Sequence, residues 1–304
     1  MTHPPIMPTA PGFNSGFVAI VGAPNAGKST LLNRILGQKI SITSKKPQTT
    51  RNRILGVLHL PQAQLVFIDT PGVHKASDPL NVRLVETALS SLEEVDVILV
   101  LIDAARSDAV SEGLMVKKIK AGKKPVVLAL NKIDLMDKND LLPLIDRWSA
   151  VYPFKDIVPV CADTGAQVDR LLAALEKLLP AGPPFFPDDT VTDLPERFIA
   201  AEMIREKVFR LTGEEIPYAT AVTIEAFEEQ KKGALVRIHA TIHMERDSQK
   251  AIVIGKGGRM LKSIGEKSRL ELERFLGVKV FLKLFVRVQK NWSRDTRALR
   301  KFGY

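Results

Sequence analysis

Short apolar runs of strand length recur along the first 180 residues: FVAIVG from Phe17, QLVFID from Gln64, VILVLID from Val97, VVLALN from Val126 and IVPVC from Ile157. Amphipathic stretches separate them, and turn residues bound each run. This alternation predicts an α/β unit with a mostly parallel sheet. The runs are apolar at nearly every position, so helices should cover both faces of the sheet. RNRILGVLHL, from Arg51, ends too close to the next run for a crossover, which predicts an antiparallel strand at the sheet edge.

The pattern then breaks at PAGPPFFPDDTVTDLP, Pro180 to Pro195, where five prolines fall in sixteen residues without periodicity. Such a stretch predicts a linker. Beyond it the order becomes a helix (ERFIAAEMIREKVFRLTG), two alternating strands (YATAVTIEAF and ALVRIHATIHME), a short helix, GKGG, a longer helix ending near ERFLG, and a strand VKVFLKLFVRV. That is an α-β-β-α-α-β unit, a small α+β domain. The expected division is a disordered leader over 1–15, a first domain over 16–180, a linker over 181–195, and a second domain with a basic tail over 196–304.

Composition adds compartment and partner. At 304 residues, 45% hydrophobic and 26% charged, the chain has the balance of a globular protein with two cores. The single cysteine, Cys161, excludes an intrachain disulfide and a cysteine-rich zinc site, and fits the reducing cytoplasm. The N-terminal stretch has no signal-peptide pattern, and no apolar run has the length of a membrane span. The net charge of +10 is unevenly spread: residues 1–195 hold 21 Lys and Arg against 20 Asp and Glu, whereas residues 196–304 hold 23 against 14. An excess of nine positive charges in the second domain alone points to a polyanion partner there, nucleic acid or an anionic lipid surface.

The first domain carries four motifs in order. GAPNAGKST spans Gly22, Ala23, Pro24, Asn25, Ala26, Gly27, Lys28, Ser29 and Thr30, directly after a strand and opening a helix. In that setting glycines let backbone N–H groups turn inward around phosphates at a helix N-terminus; Lys28 neutralises β and γ oxygens, and the Ser29 hydroxyl binds Mg²⁺. QTTR, Gln48 to Arg51, offers a threonine, Thr50 being the better candidate, to complete the Mg²⁺ shell only when a γ-phosphate is present. DTPG, comprising Asp69, Thr70, Pro71 and Gly72, ends a strand with a carboxylate for the Mg²⁺ shell and an N–H for the γ-phosphate. NKID, comprising Asn131, Lys132, Ile133 and Asp134, selects the base. The Asp134 carboxylate can accept from guanine N1–H and its amine, adenine offers neither, and an unpaired carboxylate is heavily penalised. Lys132 lays its stem along the purine, and the VCA stretch at Cys161 and Ala162 can offer a backbone N–H to guanine O6. Lys28, Thr50, Asp69 and Gly72 are the candidate catalytic groups.

These strings together resemble the Era family of translation-factor-related GTPases. Val73 follows DTPG where better-known GTPases have glutamine, and the resemblance implies an apolar residue there as the rule. No side chain at that position can orient the attacking water, so turnover should be slow or use other groups. The resemblance also implies K⁺ near Asn25 as a substitute for an arginine finger; a plain loop hydrogen bond is the alternative. Cys161 stands where the family usually has serine.

The α-β-β-α-α-β order around GKGG resembles a type II KH domain, in which Gly255, Gly257 and Gly258 would permit a turn that clamps a single strand by its backbone. Lys256 and Arg259 supply charge, Lys262, Lys267 and Arg269 extend the basic helix, and Ile252, Val253 and Ile254 would line a groove for bases. A phosphate loop for a nucleotide is disfavoured here, because the lysine precedes the last glycine and no Ser or Thr follows. Trp292 in the basic tail can either stack a base or pack against the domain. The pairing of the two domains is the Era arrangement from about Gly16 to Tyr304. It implies a GTP-hydrolysing, monomeric protein that binds GTP and GDP and the 3′ end of 16S rRNA, acting in 30S subunit assembly with some peripheral membrane contact. The alternative is a membrane-recruited signalling GTPase, against which no amphipathic helix with a bulky apolar face is apparent.

Overall fold

The computed structural model describes residues 12–44, 50–72, 92–213, 216, 220–230 and 233–302. Gln48, Thr49 and Val73 lie outside them. The described residues fall into two compact units, one formed by 12–40, 50–72 and 92–193, the other by 41–44 and the residues from 194 onward.

The first unit is built on a six-stranded sheet. Its strands are β1 (Asn14–Gly22), β2 (Ile54–Leu60), β3 (Ala63–Asp69), β4 (Val97–Asp103), β5 (Val126–Asn131) and β6 (Asp156–Val160), in the order β2-β3-β1-β4-β5-β6. Only β2 is antiparallel, paired with β3 from Ile54↔Asp69 to Leu60↔Ala63. The edge strand expected from RNRILGVLHL is there, for the reason expected. Helices α1 (Lys28–Leu36), α2 (Ala109–Ala121), α3 (Lys138–Val151) and α4 (Val168–Glu176) follow β1, β4, β5 and β6. All seven residues of β3 and all six of β5 are buried, as strands covered on both faces must be. The proline-rich stretch runs along the sheet edge, with Gln64 Oε1 accepting from the amides of Phe185 (2.6 Å) and Phe186 (3.0 Å) and Val57 N donating to Val191 O (2.8 Å).

β1 lies between β3 and β4 with all three parallel, so the strand order reverses at β1. Loops leaving the carboxyl ends of strands on either side of such a reversal open a crevice between them. GAPNAGKST leaves β1 there, DTPG leaves β3, and NKID leaves β5.

The second unit has α5 (Glu196–Leu211), β7 (Ala221–Gln230), β8 (Leu235–Met244), α6 (Asp247–Ile254), α7 (Arg259–Leu276), β9 (Lys279–Val288) and α8 (Thr296–Lys301). Its sheet order is β7-β8-β9, with β7 antiparallel and β9 parallel to β8. On β8 the side chains of Val236, Ile238, Ala240, Ile242 and Met244 are buried on the face toward the helices, and near the end of the strand Thr241 and His243 are buried on the other face as well. Within α5, buried Arg205 is held by Glu202 through Nε (2.7 Å) and Nη2 (2.5 Å), and its guanidinium lies 4.9 Å from the Phe209 ring centroid. Of the two expectations for Trp292, packing describes the structure. The indole is fully buried, edge-on to Phe302 at 5.2 Å, and Phe302 in turn meets His243 at 4.6 Å. Burial of so large a side chain contributes roughly 3 kcal/mol, which anchors the tail to the sheet.

Candidate nucleotide and nucleic-acid sites

The turn out of β1 sets the first site. Gly27 caps α1 with φ near 100°, and a Cβ there would fall 2.3 Å from Asn131 Nδ2, so only glycine fits. No acidic residue occupies the first turn of α1, which leaves its positive end available to an anion. Lys28 is buried, with Nζ donating to the carbonyls of Gly22 (3.1 Å) and Ala23 (3.0 Å). Burial pulls its ammonium pKa down from 10.5 to about 8, against the opposing charge of Asp69.

Beside it three oxygen groups converge. Ser29 Oγ donates to Asp69 Oδ2 at 2.7 Å and lies 2.7 Å from Thr50 Oγ1. Asp69 is fully buried at the end of β3, and Thr50 is buried ahead of β2. Oxygen-only donors with a single carboxylate suit a hard cation such as Mg²⁺, which takes its remaining ligands from water and substrate phosphates. Among the described residues no cluster of three His, Cys, Asp or Glu forms a separate metal cage. Thr70 Oγ1 donates to Ile20 O at 2.9 Å, Pro71 is buried, and Gly72 sits against the Pro24 backbone with no space for a Cβ. Asn25 is exposed at the crest of the loop in a left-handed conformation.

At the other end of the crevice Asn131 holds two loops. Its Nδ2 donates to Ala26 O (2.7 Å) and its Oδ1 accepts from Ala162 N (2.9 Å). Lys132 Nζ pairs with Asp103 Oδ2 at 2.6 Å, Asp103 being the register partner of Asn131 across β4 and β5. Arg34 of α1 reaches the carbonyls of Ala162 (3.3 Å) and Asp163. Asp134 is exposed, and its carboxylate makes no hydrogen bond among the described residues; Ile133 lies beside it. Cys161 is buried, its Sγ accepting from Thr164 N at 3.5 Å. Sequence reasoning missed Arg34, Asp103 and the bracing use of Asn131. Asp103 left a signal, a carboxylate ending an apolar strand; Arg34 left none.

In the second unit the peptide from Ile254 to Arg259 turns through Gly255, Gly257 and Gly258, all with positive φ between 61° and 75°. A Cβ on Gly255 would come within 2.7 Å of Met260 Cβ, so α6 and α7 approach too closely for any other residue. Lys256, Arg259 and Lys262 are exposed around the turn, while Ile254 is half-buried behind it. Arg259 Nε donates to Lys256 O at 3.3 Å, which holds the loop closed. Val253 is wholly buried, and so belongs to the core; Ile252, half exposed, faces outward.

Residues 17–132 match the model of the 50S ribosome-binding GTPase family, and residues 215–293 match that of the KH domain. GTPase Era of Geotalea uraniireducens is 58% identical over 96% of this chain and 98% of its own length. The chain belongs to the Era family of GTPases. A second member, GTPase Era of Lacticaseibacillus paracasei, is 49% identical over 96% of this chain and 97% of its own. A solved Era, in complex with MgGDPNP and nucleotides 1506–1542 of 16S ribosomal RNA, superposes with a TM-score of 0.92 at 45% identity, covering 96% of this chain and 99% of that one. A variant of Aquifex aeolicus Era bound to GDP and AlF4⁻ superposes equally well, with the same identity and coverage. The α/β GTPase fold followed by a KH domain, expected from the motifs and element order, is the fold of this family.

The buried Lys28 makes the site pH-sensitive in a defined direction. Below about pH 8 the free protein already carries this charge; above it, binding phosphates must take up a proton. GTP affinity is expected to be level up to about pH 8 and to fall above it by as much as about tenfold per pH unit. Titration calorimetry in buffers of differing ionisation heat checks the proton uptake, and affinity that stays level through the alkaline range would contradict it.

Proposed function

We propose that this chain binds and hydrolyses GTP with Mg²⁺ and binds the 3′ end of 16S rRNA, acting in assembly of the small ribosomal subunit in the cytoplasm. The observation that carries the nucleotide half is the meeting of Ser29, Thr50 and Asp69 oxygens within 2.7 Å contacts beside a buried lysine. Lys28 and the amides of Ala26 to Ser29 receive the phosphates. The hydroxyls of Ser29 and Thr50, backed by Asp69, would hold Mg²⁺, which supplies positive charge to the β and γ oxygens. Gly72 offers its amide to the γ-phosphate. Because Thr50 has a role only with the triphosphate, its loop orders with GTP and releases after hydrolysis.

Asp134 accepts from guanine N1–H and the exocyclic amine while Lys132, steadied by Asp103, flanks the purine. The amide of Ala162 is engaged by Asn131, so guanine O6 shares it or takes the next amide, at Asp163. Val73 leaves the attacking water without a side-chain partner at that position, which limits the rate. Asn25, exposed on the phosphate loop, takes K⁺ in compensation. In the second unit GKGG clamps the RNA backbone, with Lys256, Arg259 and Lys262 at the phosphates and Ile254 toward the bases. Among the described residues no helix is long and apolar enough to cross a membrane.

Exchanging Asp134→Asn replaces an acceptor by a donor, so GTP affinity should fall at least about 100-fold while xanthosine triphosphate gains. Competition binding with the two nucleotides decides it, and unchanged preference would remove Asp134 from the base site. Turnover should be faster in potassium than in sodium chloride at equal ionic strength, a difference that Asn25→Ala abolishes in a steady-state phosphate-release assay. Lys256→Glu with Arg259→Glu should weaken binding of the 16S 3′-end RNA about tenfold or more in gel shift, with RNA-free GTP turnover intact. If flotation with anionic vesicles responded to that pair and RNA binding did not, the membrane reading would replace this one. Wild-type RNA affinity should differ between GDP and a non-hydrolysable GTP analogue; equal affinities would sever the switch from the RNA.

A further inference from the structure

The face of the second sheet turned away from α5, α6 and α7, covered by Phe302 only at its His243 end, carries chemistry that GKGG does not use. Val280 of β9 is buried and Leu284 meets α7, where a Cβ on Gly265 would lie 3.5 Å from it. The alternate positions, Lys279, Phe281, Lys283, Phe285 and Arg287, are all exposed on the opposite face. Phe281 and Phe285 remain 50% and 46% exposed. Each has a cation at its ring: Arg237, the register partner of Phe281 on β8, lies 5.8 Å from that ring's centroid, and Lys283 Nζ lies 5.1 Å from the centroid of Phe285. The His239 ring adds an edge contact to Phe281 at 6.4 Å.

Single apolar residues on a surface need no explanation. Two phenylalanines on one strand, interleaved with basic residues at every outward position, are a different pattern. At the strand spacing of about 3.3 Å per residue they stand about 13 Å apart, far enough to receive different bases. The patch has limits: Glu228 is the register partner of Arg237 on the β7 side, and Glu273 lies 3.9 Å from Lys279. Between them, Phe281, Lys283, Phe285 and Arg287 form a continuous basic and aromatic stripe. A flat ring with a cation beside it suits a ligand that brings a π-face and a phosphate together.

We infer that this sheet face is a second RNA-binding surface, taking a single strand with bases stacked on Phe281 and Phe285 and phosphates met by Lys283, Arg287 and Arg237. It rests on the RNA-binding reading of the second unit only for its class of ligand, since none of its residues belongs to the GKGG loop. Stacking tolerates any base, so this surface adds affinity and direction to the strand, and sequence selection stays with the groove.

The test uses the full chain with Mg²⁺ and a non-hydrolysable GTP analogue. The probe is fluorescently labelled RNA spanning nucleotides 1506–1542 of 16S rRNA, the segment held by the solved Era. Phe281→Ala with Phe285→Ala should weaken binding about tenfold or more, Phe281→Tyr with Phe285→Tyr should restore it, and thermal melting and RNA-free GTP turnover should stay at wild-type levels. Ultraviolet crosslinking should place nucleotides on the β9 peptides as well as on the loop peptide, and on β9 still when Lys256 and Arg259 are made acidic. Full affinity in the double alanine variant, with crosslinks confined to the loop, would overturn the surface and leave the loop reading standing. Loss in the alanine variant but none in the loop variant would do the reverse. Unchanged RNA affinity together with lost association with small subunits would also overturn it, assigning the face to a protein contact.

Discussion

Asn131 sits where β5 ends, and with one side chain it closes a circuit of loops that belong to distant parts of the chain. Its amide nitrogen holds the phosphate loop at Ala26 and its amide oxygen holds the turn at Ala162, both at hydrogen-bond lengths below 3 Å. The circuit is possible because β1, β3, β4, β5 and β6 run parallel, which brings their carboxyl ends to one edge. Gly27 must be glycine for the same reason, since the space of its Cβ is occupied by Asn131. The phosphate end and the base end of the crevice are therefore mechanically one object. A side chain that binds neither phosphate nor metal sets the distance between them.

Inside that frame sits a charge that folding alone would not favour. Lys28 is buried, and its depressed pKa reports the unfavourable desolvation of an ammonium that the neighbouring Asp69 only partly offsets. The carbonyls of Gly22 and Ala23 hold it in place of phosphate oxygens. A site of this kind is pre-organised for an anion, because much of the desolvation has already happened before the ligand arrives. The clustered hydroxyls of Ser29 and Thr50 against Asp69 are the matching arrangement for a hard cation. The two halves are complementary: a metal-bound polyphosphate would satisfy both at once.

The second unit uses glycine for a different purpose. After β1 the positive φ of Gly27 turns the chain into the start of α1; in GKGG three positive-φ glycines, Gly255, Gly257 and Gly258, let two helices meet at an abrupt turn with exposed cations around it. In the proposed function the same residue type near a lysine serves a compact triphosphate in one place and an extended strand in the other. Across the sheet from that turn, β9 alternates cations with half-exposed phenylalanines, so the unit presents two unlike surfaces to a polyanion. In the proposed function the first encloses the RNA backbone, and the inferred second surface is a platform for stacking.

Strand runs, the antiparallel edge, the α-β-β-α-α-β order and the four nucleotide motifs were all readable from the chain, because each is local: a period, a turn residue, a spacing within a dozen positions. The charge asymmetry was readable by counting. Other features depend on residues far apart. The Lys132 pair with Asp103 spans 29 positions, the Asn131 bond to Ala26 spans 105, and the Arg34 contact with Ala162 spans 128. No periodicity records them, since they follow from which strands lie side by side. Nor does alternation along VKVFLKLFVRV say which face meets helices: the Val280 face was settled by packing against α7, and that left Phe281 and Phe285 outside. The sequence by itself determined the elements and the reactive residue types placed at their ends. Tertiary structure decided which groups brace that chemistry and which face is left open, because strand order and burial are properties of the assembled sheet.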